Sequence, residues 1–269
     1  MISRRRVASW PELWRFSRVS PACARLARAV VRAQFELFRS DERRWITRIE
    51  AEREILQVSD SEIEIVDCAA GSPERGGRPT VTRKVGEMCR SSSKSRRWAS
   101  LLFRLVRDIR AVNLLEMGTC MGISAAYQAA ALALNGKGRL VTLEGSESLA
   151  GIARDMFQRL GLGNVEVIVG CFQETLAEVL NGAGAPDYVF IDGHHQEEPT
   201  LEYFSRVICS TAPGALLVFD DIGWSDGMRR AWKKIESDQR VQATLDLGTL
   251  GLCIVGSPVR TRRCFSAAL

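Results

Sequence analysis

The chain has 269 residues, 46% hydrophobic and 26% charged, an ordinary composition for one folded domain with room for an extension. Its net charge of +5 gathers at the N-terminus, where Arg4, Arg5, Arg6, Arg15, Arg18, Arg25, Arg28 and Arg32 outnumber the acids, so a uniformly basic nucleic-acid surface is not implied. No run approaches the roughly 18 apolar residues of a membrane span and no apolar signal core opens the chain, which makes the cytoplasm the expected compartment.

The eight cysteines (Cys23, Cys68, Cys89, Cys120, Cys171, Cys209, Cys253 and Cys264) are spaced singly, without zinc-knuckle or redox spacing, and are expected to be reduced thiols. Residues 1–60 read as a basic helical extension. From about Ser20 to Leu56 the pattern is helical, with Trp45, Ile46, Ile49 and Leu56 on one stripe among Asp41, Glu42, Arg43, Arg44 and Glu50. The Arg-rich start reads either as a solvated basic helix or an upstream start-site artefact, or, by composition, as an organelle transit peptide. Residues 61–96 form a connecting segment with breaks at Gly71 to Pro79 and Ser91 to Ser95. The main domain is expected over 97–257, followed by a tail over 258–269.

Trp98, Leu101, Leu102, Leu105, Val106 and Ile109 fall at the spacing of an amphipathic helix. Beyond it, candidate strands alternate with helical patterns: Asn113 to Met117, Arg139 to Glu144, Val165 to Val169, Asp187 to Ile191 and Ala215 to Phe219. Such alternation implies a parallel sheet with right-handed crossovers. After a helix around Met228 to Ile235, Val241 to Leu247 and Leu250 to Val255 lie too close for a crossover and should pair antiparallel. The fold class is α/β, a Rossmann-like and mostly parallel sheet closed by an antiparallel hairpin.

The chemistry is expected at the strand ends. Glu116-Met117-Gly118-Thr119-Cys120-Met121-Gly122-Ile123-Ser124 is a strand running into a glycine turn that opens a helix, where missing side chains let a ligand approach the backbone; without a ligand it is simply a tight turn. Glu144-Gly145-Ser146 ends the neighbouring strand with a carboxylate suited to both ribose hydroxyls, or with a cap for the next helix. A nicotinamide enzyme usually shows G-x-G-x-x-G, whereas this turn reads Glu116-x-Gly118-x-x-x-Gly122. The acid there suits a cationic nucleoside such as S-adenosylmethionine (SAM) better than a pyrophosphate. Cys171 and Phe172, a small residue and an aromatic after the third strand, could wall an adenine or belong to the core.

Asp192-Gly193-His194-His195 holds both histidines of the chain at the end of the fourth strand. Histidine titrates at about pH 6.5, so His195 is a candidate general base with Asp192 beside it, while His194 is expected to hydrogen-bond locally. Asp220 and Asp221 emerge from the fifth strand at the same edge. Asp192, Asp220 and Asp221 could hold Mg²⁺; otherwise one aspartate caps a turn, another orients His195, and no metal binds.

From about Ile65 to Val255 the chain resembles the class I SAM-dependent methyltransferases, most closely a bacterial O-methyltransferase-like group with a catechol-O-methyltransferase-like catalytic core. The resemblance rests on Val66-Asp67-Cys68-Ala69-Ala70-Gly71-Ser72, Leu114-Leu115-Glu116-Met117-Gly118-Thr119, Thr142-Leu143-Glu144-Gly145, Ile191-Asp192-Gly193-His194-His195 and Asp220-Asp221-Ile222-Gly223-Trp224-Ser225 with Ala231-Trp232. It implies a seven-stranded fold, with Gly118, Thr119, Gly122, Glu144 and Asp192 lining the SAM site. It also implies cation ligands at Asp192, Asp220 and Asp221. Cation-dependent relatives, however, typically carry asparagine where Asp221 stands and a lysine base where His195 stands. The implied reaction is methyl transfer to a hydroxyl of a small-molecule acceptor, with His195 or a metal activating the hydroxyl and Trp224 and Ser91 to Ser95 as candidate walls. No nucleic-acid partner is expected, since base methyltransferases typically carry Pro-Pro and an aromatic after the strand-four acid; a homodimer is left open. The alternatives are a non-catalytic SAM-binding protein and a nucleic-acid methyltransferase.

Overall fold

The computed structural model describes residues 10–66, 68, 79–182, 184–256 and 263–267. Arg4 to Arg6, the break at Gly71 to Pro79 apart from Pro79 itself, and most of the 258–269 tail lie outside the described residues. Three helices come first: α1 (Trp10–Ser17), α2 (Pro21–Gln34) and α3 (Ser40–Gln57). The single helical stretch expected from Ser20 to Leu56 is thus two helices. Ser20 caps the first, accepting the Cys23 N–H at 3.2 Å with proline at the helix start. Glu36 takes a left-handed φ of 49° in the turn between them. The connecting segment is ordered as well: β1 (Glu62–Val66) and β2 (Thr80–Lys84) pair antiparallel, and α4 (Val85–Ser92) leads through Ser93, Lys94 and Ser95 into α5 (Arg96–Ile109).

The main sheet contains β3 (Asn113–Met117), β4 (Arg139–Glu144), β5 (Val165–Val169), β6 (Tyr188–Ile191), β7 (Leu216–Phe219), β8 (Val241–Asp246), β9 (Gly251–Val255) and β10 (Arg263–Ser266). Its order is β10-β8-β9-β7-β6-β3-β4-β5. The strands β3 to β7 are mutually parallel, and β9 runs antiparallel to both β7 and β8, as the short connection required. The connecting helices are α6 (Ile123–Asn135), α7 (Glu147–Leu160), α8 (Phe172–Gly182), α9 (Glu197–Ser210) and α10 (Asp226–Ser237). Eight strands replace the expected seven. The extra one, β10, lies parallel beside β8 and is four residues long and largely exposed, too short and too polar to show an alternating pattern.

Helices cover both faces of the sheet, and the pleat divides its side chains between them. Leu114, Leu140 and Phe190 join the core built with α5, α6 and α7, whereas Leu115, Val141 and Val189 join the one built with α8, α9 and α10. Leu26 and Val30 of α2 and Ile49 of α3 belong to the first cluster with Leu101 and Leu105 of α5, so the N-terminal helices share the main core. Among the described residues no helix is long and apolar enough to cross a membrane.

One buried ion pair fastens that extension. Arg104 of α5 donates to both carboxylate oxygens of Glu42 at 2.8 and 2.7 Å, each side chain 2% exposed, and its guanidinium lies 4.4 Å over the Phe38 ring. Burial alone would push the Glu42 carboxyl up, but Arg104, the Arg39 N–H and Arg107 together hold it below its ordinary value. Removing one partner of a buried pair leaves an uncompensated charge. Glu42→Ala is therefore expected to cost about 3–5 kcal/mol, read as a lower urea midpoint at unchanged slope.

Cys68 and Cys171 are joined in a disulfide across 103 residues, with their Cα atoms 5.7 Å apart. This corrects the expectation of eight reduced thiols, because a pair so distant in sequence leaves no local spacing to read. The other six cysteines are free. Alkylation of the denatured protein should label six thiols before reduction and eight after; eight labels without reductant would show the bridge to be absent.

Candidate active site

Strands β3 and β6 are neighbours although β4 and β5 separate them in sequence, so the sheet has its topological switch point between them, and α/β sheets bind ligands at the C-terminal strand ends beside such a point. The Asp192 N–H donates to Met117 O at 2.9 Å. Gly118 takes φ +106°, and a Cβ there would stand 2.0 Å from the Asp192 carbonyl oxygen. Only glycine permits both the left-handed backbone and that approach. The N–H groups of Gly118 and Thr119 both donate to Leu143 O at 3.1 Å, which binds the turn to β4. Gly122, φ +84°, begins α6, and a Cβ on it would meet Phe157 and Ala153 of α7 within 2.9 Å. Its missing side chain serves helix packing.

Glu144 ends β4 at the mouth of this turn. One carboxylate oxygen accepts the Cys120 N–H at 2.7 Å and the other the Ser146 N–H at 3.0 Å. Burial raises its pKa above the ordinary value despite these hydrogen bonds. The adjacent Ser146 Oγ is buried without a hydrogen-bond partner. Gly145 faces Cys68, whose sulfur would lie 2.6 Å from an added Cβ. Cys171 is bonded to Cys68 in the disulfide.

Glu116 lies beneath the turn, fully buried, where it accepts from Gln128 Nε2 at 2.7 Å and from the Thr142 hydroxyl at 2.6 Å. The Thr119 hydroxyl is 2.7 Å from that of Thr142. Burial pushes Glu116 up to about 7 against hydrogen bonds from Thr142, Ser124 and Gln128, and the charge of Glu144 adds to the rise. Glu116, Thr119 and Ser124 are joined in a polar network beneath the turn.

On the other side of the switch point, His194 and His195 both adopt left-handed backbone, φ 62° and 39°. The His194 Nδ1 is 2.7 Å from the Tyr203 hydroxyl of α9, and the rings of His194, Tyr203 and Phe172 pack within 5.7 Å of one another. Phe172 also lies against Gly193, where an added Cβ would come within 2.5 Å of the ring. The expectation for His194 is a hydrogen bond within its loop; the partner is on a helix. His195 stands between two carboxylates, Nε2 3.5 Å from Asp192 Oδ1 and Nδ1 4.0 Å from Asp221 Oδ2.

Sequence reasoning missed Lys94. From the link between α4 and α5 its ammonium hydrogen-bonds Asp220 Oδ2 and lies 3.6 Å from Asp192 Oδ2. Burial would lower its pKa, but Asp192 and Asp220 outweigh burial and raise it. Burial and the charge of Asp192 lift Asp220 well above the ordinary carboxylate range, and burial raises Asp192 also, against the pull of Lys94.

These groups test the expected Mg²⁺. One ligand atom each from Asp192, His195 and Asp220 lie within 4.8 Å of one another; Asp221 is outside that group, beyond His195. The position between the two carboxylates, however, is held by the Lys94 ammonium. A divalent ion fits only if the lysine is displaced, so the residues as arranged do not fit a metal.

Comparison with known proteins agrees with this architecture. Residues 115–222 match the family model described as a methyltransferase domain. A catechol O-methyltransferase of Niastella koreensis is 36% identical over 120 residues, 44% of this chain and 52% of the relative. One of Mycobacterium tuberculosis is 37% identical over 120 residues, 44% of this chain and 51% of the relative. The chain therefore spans about half the length of the curated relatives it matches. Among solved structures, the O-methyltransferase from Bacillus cereus in complex with SAH superposes with a TM-score of 0.53 at 27% identity, covering 61% of this chain and 83% of that one. An O-methyltransferase from Streptomyces achromogenes in complex with SAM gives 0.52 at 26%, covering 62% and 82%. Residues 115–222 of this chain are thus similar to a methyltransferase domain, and the fold around them is similar to that of O-methyltransferases.

Proposed function

We propose that the chain is a SAM-dependent O-methyltransferase acting on a hydroxyl of a small-molecule acceptor. The observation that carries this reading is the juxtaposition, across one switch point, of a glycine turn with the Glu144 carboxylate on one side and of His195 between Asp192 and Asp221 on the other. Bound SAM supplies a methyl group on a sulfonium, whose departure leaves SAH.

Glu144 is the acceptor for the ribose hydroxyls, and the unpartnered Ser146 hydroxyl beside it is a further polar contact. A mouth bearing several carboxylates favours a cation, which agrees with a sulfonium. His195 takes the proton of the acceptor hydroxyl as the oxygen attacks the methyl carbon; the C–O bond forms, the C–S bond breaks, and the electron pair stays on sulfur. Asp192 and Asp221 orient the imidazole and stabilise its protonated form. Alignment of the two reactants supplies much of the acceleration, on the order of 7–11 kcal/mol for well-oriented groups. Trp224, 72% exposed in the turn after β7, stands ready as a wall for the acceptor.

Calorimetric titration with SAH should give saturable binding, weakened about tenfold or more in Glu144→Ala, since hydrogen bonds to a charged group contribute about 1.5–3 kcal/mol. An absence of SAH binding would refute the cofactor assignment. In His195→Asn, methyl transfer to a panel of phenolic and catecholic hydroxyls should fall by roughly 10²–10⁴ in kcat while SAH affinity stays near that of the wild type. Undiminished kcat would remove His195 as the base, and SAH binding without turnover on any acceptor would favour a non-catalytic SAM-binding protein.

A further inference from the structure

The acidic mouth contains a cation of its own. Asp192, Asp220 and Asp221 emerge from two adjacent parallel strands, and the Asp220 side chain is fully buried. Lys94 enters from outside the sheet, 98 and 126 residues before the aspartates it meets, and its side chain is only 13% exposed. Burying an ammonium is unfavourable unless charge and hydrogen bonds compensate it, and a lysine serving only solubility would extend into water. The backbone fixes its position. Ser93 closes α4 with φ −77°, ψ 137° and Ser95 opens α5 with φ −59°, ψ 152°, so Lys94 sits on a short extended link between two helix ends. Those ends are packed in the core through Cys89 and Ala99, each 1% exposed or less.

We propose that Lys94 is the resident cation of this site, a tethered ammonium in the position between Asp192 and Asp220 that a divalent metal would take, so that the site works without a metal. A lysine ammonium has three N–H donors. One is used on Asp220, the charge also faces Asp192 at 3.6 Å, and a remaining N–H is left for the acceptor oxygen, where it stabilises the developing oxyanion while His195 takes the proton. A divalent ion beside this ammonium would meet like charge at contact range. The part of this inference that concerns the acceptor rests on the methyl-transfer reading; the part that concerns the cation does not.

The test is Mn²⁺ binding, followed by the electron paramagnetic resonance signal of the free ion, on wild type, Lys94→Ala and Lys94→Ala/Asp220→Asn, with an SAH titration on each sample. Wild type should leave Mn²⁺ free into the millimolar range. Lys94→Ala should bind one equivalent at least tenfold more tightly and melt at a higher temperature in its presence, and the double variant should lose both effects. Lys94→Met, which keeps most of the stem, replaces the alanine variant if that does not fold. Saturable one-to-one Mn²⁺ binding by wild type would overturn the proposal on its own, and so would a Lys94 variant that folds and gains no binding. A failed SAH titration would instead count against the cofactor assignment, leaving the Mn²⁺ result to be read separately.

Discussion

At the ends of β3 and β6 the backbone comes closer than any side chain at position 118 would allow. The Asp192 amide is hydrogen-bonded to Met117 O, and the Asp192 carbonyl lies where a Cβ of residue 118 would have to be. This contact closes the switch point and sets the distance between two half-sites. On the β4 side it fixes the turn whose amides reach Leu143 and Glu144; on the β7 side it fixes Asp192, from which His195 and Asp220 take their places. A larger residue at 118 would separate the strands at the edge where the proposed cofactor and acceptor sites adjoin. The glycine is therefore a requirement of architecture before it is a requirement of binding.

Among the carboxylates withdrawn from solvent, two sets differ in how they are compensated. Glu42 is met by a bidentate arginine and a backbone amide, and its pKa is depressed; it is a structural ion pair. Glu116, Glu144, Asp192 and Asp220 are raised, in each case with burial as the first cause, and they surround the strand ends. Raised acids gathered in one place are poorly satisfied by the fold alone, which is a physical mark of a place where something else binds.

How much of this was legible follows from burial. Strands β3, β4 and β5 have the bounds that the sequence pattern predicts; β3 and β4 are buried almost throughout, as parallel strands covered on both faces are. Strands β6 and β7 each start one residue later than expected, at Tyr188 and Leu216. Helix α1, strands β1 and β2 and strand β10 escaped notice, being short and in part exposed. The site residues on strand ends were legible because strand ends are. Lys94 was not, because a lone lysine among serines gives no pattern; the available signal was the need of three convergent aspartates for a counter-charge. The disulfide was hidden by its sequence separation, and Tyr203 by resembling any core aromatic.

The paired left-handed backbone at His194 and His195 has its own consequence. Non-glycine residues held in that region cost on the order of 1–3 kcal/mol each and persist only where the surroundings over-determine them. Here the determinants are a hydrogen bond to Tyr203 and the rings packed around His194, all on elements that belong to the core. The loop is thereby set when the protein folds, and little of a ligand's binding free energy is consumed in arranging the imidazole. Under the proposed reaction, preorganisation of this kind gives Tyr203, which touches no ligand, a share in placing the proposed base, and it leaves the acceptor-facing surface free to change without rebuilding that base.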